Sequence, residues 1–164
     1  MTGASARVPH QRGFSLVELL VSVTILGLLA SVAMPLAELT ARRKKEAQLH
    51  LALREIRQGI DAYHAAAKNG DIASLMNRNA YPPTLRDLVD GVPDAKHPDG
   101  ALLYFMRRIP RDPTFADATV KPVDTWGKRS FASPADKPAE GDDVFDVYST
   151  TPGAGLNGVP YREW

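Results

Sequence analysis

Cysteine is missing from all 164 residues. Its absence excludes disulfides, thiolate metal sites and a cysteine nucleophile, and leaves the compartment open. Charge of one sign is also lacking. A formal net charge of +1 gives no argument for nucleic-acid binding. The four histidines, His10, His50, His64 and His97, are scattered, and His50 and His64, 14 positions apart, match no metal-pair spacing. No Gly-x-x-x-x-Gly-Lys loop is present to cradle a phosphate. Asp142, Asp143 and Asp146 read as the solvated approach to a strand rather than as an acid–base pair. Arg107, Arg108 and Arg111 read as formers of local or intersubunit ion pairs. With no catalytic constellation, the chain reads as a non-enzyme.

What is present is a 21-residue apolar stretch, residues 14–34, whose only ionisable side chain is Glu18. A run of about 17–25 such residues can cross a bilayer as a helix. A carboxylate inside it costs about 2.5–3.5 kcal/mol on insertion scales and so calls for a partner. Arg7 and Arg12 precede the stretch, as in a secretory signal. The run is longer than the roughly 7–15 residues of a signal core, although Ala30, Ser31 and Ala33 imitate a cleavage site. Neither a plain signal nor a plain anchor explains Glu18. Arg42, Arg43, Lys44 and Lys45 follow the span. The positive-inside rule alone would put them in the cytoplasm.

The helix is expected to run on to Lys68. Pro35 is the expected kink. Beyond it Leu49, Leu53, Ile56, Ile60 and Tyr63 step by four and three residues, one apolar stripe of an amphipathic helix. The run Lys68-Asn69-Gly70-Asp71 reads as its stop. Residues 72–76 read as a short turn and 85–89 as a short helix ended by Gly91. Residues 101–109, 126–133 and 144–150 are strand candidates, the first closed by the turn Pro110-Arg111-Asp112-Pro113. Three short antiparallel strands bury little alone and need the helix stripe as a second layer. The expected fold is therefore α+β, a long N-terminal helix packed on a small antiparallel sheet.

The run Arg12-Gly13-Phe14-Ser15-Leu16-Val17-Glu18-Leu19-Leu20 resembles the class III signal of type IV pilins and type II secretion pseudopilins. The resemblance implies cleavage by prepilin peptidase between Gly13 and Phe14, N-methylation of Phe14, and Glu18 as the fifth mature residue. Removing the leader with Arg7 and Arg12 would take the formal charge from +1 to −1. The new Phe14 amine lies one helical turn from Glu18. In a bundle of staggered parallel helices, Glu18 of one subunit can meet the ammonium of its neighbour and set the assembly register. A leader cut on the cytoplasmic side outweighs the positive-inside signal. The cluster 42–45 then reads as a solvated helix face that meets lipid headgroups. The implied organisation is a leader at 1–13, a transmembrane assembly helix at 14–36, an amphipathic half at 37–68 and a globular domain at 69–164.

The second half is similar to the major, G-type pseudopilin of the general secretion pathway. It shows Arg107-Arg108-Ile109-Pro110-Arg111-Asp112-Pro113, then Trp126-Gly127, then Phe145-Asp146-Val147-Tyr148-Ser149. Residues 114–125 separate the first two blocks and read as a surface insertion. Such pseudopilins bind calcium in the loop after the last strand, so the resemblance nominates Asp146, Ser149, Asn157 and Glu163, with Asp142 or Asp143 as further acids that could reach in. Here that loop, residues 150–164, holds no aspartate. The competing reading is a metal-free loop pinned by Tyr161 and Trp164. The implied role is a structural subunit of the type II secretion pseudopilus, anchored once in the bacterial inner membrane with its domain in the periplasm. Its partners would be further copies of itself, minor pseudopilins, prepilin peptidase and the inner-membrane secretion platform, with no nucleic acid. The alternatives are a type IV pilus pilin for adhesion, motility or DNA uptake, and a membrane-anchored periplasmic binding protein that does not polymerise. The lack of cysteine favours the pseudopilin over pilins with a disulfide loop.

Overall fold

The computed structural model describes residues 15–72, 79–97 and 100–164. The chain divides after Ala41 into two compact units, the second being Arg42–Trp164.

One helix, α1, spans Leu16–Lys68 and stays helical through Pro35. The described large apolar side chains between Leu16 and Leu39 are 45–75% exposed. This half is apolar around its whole circumference, which water does not tolerate as a free surface. Its hydroxyls are turned back onto the helix itself. Ser22 Oγ donates to Glu18 O at 2.7 Å, Thr24 Oγ1 to Leu20 O at 2.8 Å and Ser31 Oγ to Leu28 O at 3.0 Å. Polar groups satisfied within the segment are what an apolar medium demands.

The helix stops as its sequence implies. Gly70 has φ 72°, Gly70 N donates to Ala67 O and Asp71 N donates to Ala66 O at 2.9 Å. These are the two bonds of a Schellman cap.

The globular core lies on the stripe of α1. Leu49, Leu53, Ile56, Ile60 and Tyr63 are buried, together with Leu85, Leu88, Trp126, Val144 and Val147. A short helix, α2, covers Asp87–Asp90 and ends at Gly91 with φ 88°. The Asp87 carboxylate accepts from the N–H and the hydroxyl of Thr84, which fixes its first turn.

The sheet is smaller than expected. Strand β1 (Val92–Pro93) pairs antiparallel with β2 (Leu102–Leu103). Strand β3 (Trp126–Arg129) pairs antiparallel with β4 (Asp146–Ser149). These are two separate two-stranded ribbons instead of one three-stranded sheet. The expected strand at 101–109 is cut to Leu102–Leu103. The N–H groups of Phe105 and Met106 both turn to Leu88 O, at 3.0 and 2.8 Å, and so leave the ladder. The strand at 126–133 ends at Arg129, because Ser130 N goes to Ala139 O. The strand at 144–150 begins late, because Val144 N donates to Pro82 O. Ile72 makes an isolated bridge to Asp94. The rest of the turn expected at 72–76 lies outside the described residues.

Gly127 faces Tyr148 across the β3–β4 ribbon, and a Cβ at 127 would run into the Tyr148 ring. Gly127→Ala should therefore destabilise the globular unit by about 1–3 kcal/mol, as overpacking does. Urea unfolding followed by tryptophan fluorescence measures it, and an unchanged midpoint would contradict the packing.

Candidate functional site

Two regions carry candidate functional residues, and each is taken separately. The first is the start of α1. Glu18 sits in the first helical turn, where a negative charge suits the helix dipole. Leu19 N reaches back to Ser15 O at 3.1 Å, so the turn carrying Glu18 is formed. Glu18 is exposed, and its carboxylate has no hydrogen bond or ion pair to any described residue. Gly13 and Phe14, the expected cleavage and methylation positions, lie outside the described residues. Pro35 is embedded in continuous helix.

The second region is residues 150–164 and what they rest on. Glu46 anchors it. Its side chain is only 11% exposed, and Oε1 accepts from Arg42 Nε at 3.2 Å, Leu156 N at 3.0 Å and Tyr161 Oη at 3.0 Å. Arg42 also donates to Ala154 O. The indole of Trp164 stacks on His50, with centroids 4.1 Å apart, and meets Tyr161 edge-on. Arg57 joins helix, strand and loop. Its Nε lies 2.8 Å from Asp146 Oδ1, and its Nη2 donates to Trp164 O at 2.7 Å. This loop is pinned by its aromatics and by one carboxylate of α1.

Each of the four nominated calcium donors has another partner in the fold. Asp146 lies between Arg57 and Arg129, with Arg129 Nη2 at 3.3 Å from Oδ2. Ser149 Oγ is fully buried and donates to Asp112 Oδ2. Asn157 Oδ1 accepts from Val159 N at 3.0 Å. Glu163 is exposed beside Arg162. Asp143, another candidate for the loop, accepts from Phe131 N and Asn79 Nδ2. Among the described residues no three acidic or histidine side chains converge. Calcium needs six to eight oxygens, usually with several carboxylates, and this donor set does not suit it.

Sequence reasoning passed over Glu46 and Asp112. Glu46 had a signal: it precedes Leu49 by three residues and so falls on the buried stripe itself. Asp112 is fully buried. It accepts from Thr114 N at 2.7 Å, from the Thr114 hydroxyl and from Ser149 Oγ. Trp126 Nε1 donates to Pro110 O at 2.8 Å. The Pro-Arg-Asp-Pro, Trp-Gly and Phe-Asp-Val-Tyr-Ser blocks thus bond to one another. The insertion at 114–125 folds over Arg111, which donates to Val120 O and Asp117 O.

Glu46→Ala would leave the Tyr161 hydroxyl and Leu156 N–H without an acceptor, at a cost of about 2–3 kcal/mol. Chemical denaturation followed through Trp164 reads it. Tyr161→Phe, which removes one donor and leaves the carboxylate, should cost about 1 kcal/mol. Equal stability of all three proteins would contradict the anchor. Millimolar calcium should leave the melting temperature unchanged, whereas a rise of several degrees would show the loop rebuilding around the ion.

Comparison with known proteins gives one match. Residues 9–34 match the prokaryotic N-terminal methylation motif. No curated protein and no solved structure matches the chain. The match supports a type IV pilin-like N-terminus, the signal that marks substrates of prepilin peptidase, on the same segment that α1 leaves exposed.

Proposed function

We propose that this chain is a structural subunit of a type II secretion pseudopilus. It is anchored in the inner membrane by the first half of α1 and cleaved by prepilin peptidase between Gly13 and Phe14. It is then methylated at Phe14 and assembled into a periplasmic filament that drives protein export. The observation that carries the reading is an apolar, exposed helical segment whose one carboxylate, Glu18, has no partner among the described residues, inside the matched motif.

The chemistry is done on this protein rather than by it. Cleavage creates a cationic amine at the head of an apolar helix. Glu18 follows four residues after Phe14, in the first turn of α1. Each charge alone is costly in an apolar setting, and each is relieved when a neighbour supplies the other. Subunits stacked one register apart pair every amine with a carboxylate. Register and assembly then depend on a single interaction. Minor pseudopilins and the secretion platform are the partners this role requires. A type IV pilus pilin would use the same N-terminus. The mutually bonded Pro-Arg-Asp-Pro, Trp-Gly and Phe-Asp-Val-Tyr-Ser blocks favour the pseudopilin.

Glu18→Ala should leave folding and membrane insertion intact and abolish filament formation by the overproduced protein in electron micrographs. Normal filaments from that variant would sink the register argument. Gly13→Ala should block maturation, leaving the longer, uncut form on a gel. Wild-type processing of that variant would count against peptidase cleavage at this site.

A further inference from the structure

The basic residues after the apolar span are not equivalent. Arg42 is engaged with Glu46 and Ala154. Arg43, Lys44 and Lys45 are exposed and have no ion pair or hydrogen bond among the described residues. Successive helical residues are turned by about 100°. Arg42 and Glu46 lie in phase with the buried stripe of Leu49 and Leu53. The next three cations step around the rest of the circumference. Between residues 42 and 54 the only acidic residue is Glu46, already engaged, while Arg54 adds another exposed cation.

We propose that Arg43, Lys44 and Lys45 form a collar that binds the phosphates of anionic lipid headgroups. This rests on the reading of the first half of α1 as a membrane anchor. Residues 19–37 carry no ionisable side chain. Nineteen helical residues cover about 28 Å, close to the hydrocarbon thickness of roughly 30 Å. Arg43 to Lys45 come five to seven residues after Glu38, the first charge beyond that run. That is about 8–11 Å of helix, the depth of headgroups and within a Debye length of the surface. Their long stems let the charged ends reach the phosphate layer. A cation on every open side of the helix meets headgroups whatever the rotation of the helix. A protein partner would need the charges on one side. Each basic side chain near an anionic surface favours binding by about fivefold. The collar would hold an unassembled subunit at the bilayer surface, and assembly would have to strip it away.

The test uses the full chain in lipid nanodiscs. With no native cysteine, Gln48→Cys supplies a unique fluorophore site one turn beyond Lys44. A headgroup nitroxide reports its approach to the surface. Quenching should be at least about twofold stronger in discs with phosphatidylglycerol than in pure phosphatidylcholine, and the difference should vanish at high salt. The combined Arg43→Gln, Lys44→Gln and Lys45→Gln variant should show no difference between the lipids. Because these side chains are exposed and make no hydrogen bond or ion pair among the described residues, circular dichroism should match the wild type. Equal quenching in both lipids, or a preference that survives in the triple variant, overturns the proposal. So does quenching that rises only with the number of chains per disc, which would mean docking on a second copy. A chain that enters neither disc overturns the anchor reading as well. A chain that enters both without preference overturns the collar alone.

Discussion

Everything here follows from the burial that α1 demands. From Leu16 to Leu39 its described large side chains are left 45–75% exposed by the described residues. From Leu49 onward a single stripe is buried by the globular layer. The first half has to be covered by lipid or by other helices. In that setting Glu18 is costly alone and informative when paired. The same demand explains why serine and threonine hydroxyls along this half bond to their own helix.

The second half of α1 works as a platform. Two-stranded ribbons are marginal alone, and here both are small. What they lack in ladder bonds is supplied by side chains. Glu46 and Arg57 tie residues 150–164 to the helix, and Asp112 ties the turn before the insertion to β4. A loop held this way keeps its shape through hydrogen bonds to ionised groups, which are stronger than neutral ones. The carboxylates that a metal would want, Asp146 above all, already have guanidinium partners.

Much of this was legible in the residues. The step pattern from Leu49 to Tyr63 named the buried face, and Asn69-Gly70 named the stop, because both depend on local periodicity and local φ. The strands were less legible. Their length is set by where backbone donors go, and Leu88 O, Pro82 O and Ala139 O all lie outside the strands they shorten. The Glu46 anchor sat in plain view on the stripe, but its partners Leu156 and Tyr161 come from the other end of the chain. The resemblance to calcium-binding pseudopilins nominated Asp146, which the fold sets between Arg57 and Arg129. Spacing along the chain does not show which acid an arginine will reach.

The most direct test of the whole account is the mass of the N-terminal peptide of the protein extracted from membranes. The account predicts a chain that begins at Phe14 and carries one added methyl group on its amine. Such a chain has the cation that Glu18 needs, at the position where the helix can use it. A mature protein that still begins at Met1, or one cut after the small residues near Ala33, would contradict it. In the first case Glu18 would have no neighbouring amine to meet, and in the second it would be removed with the signal.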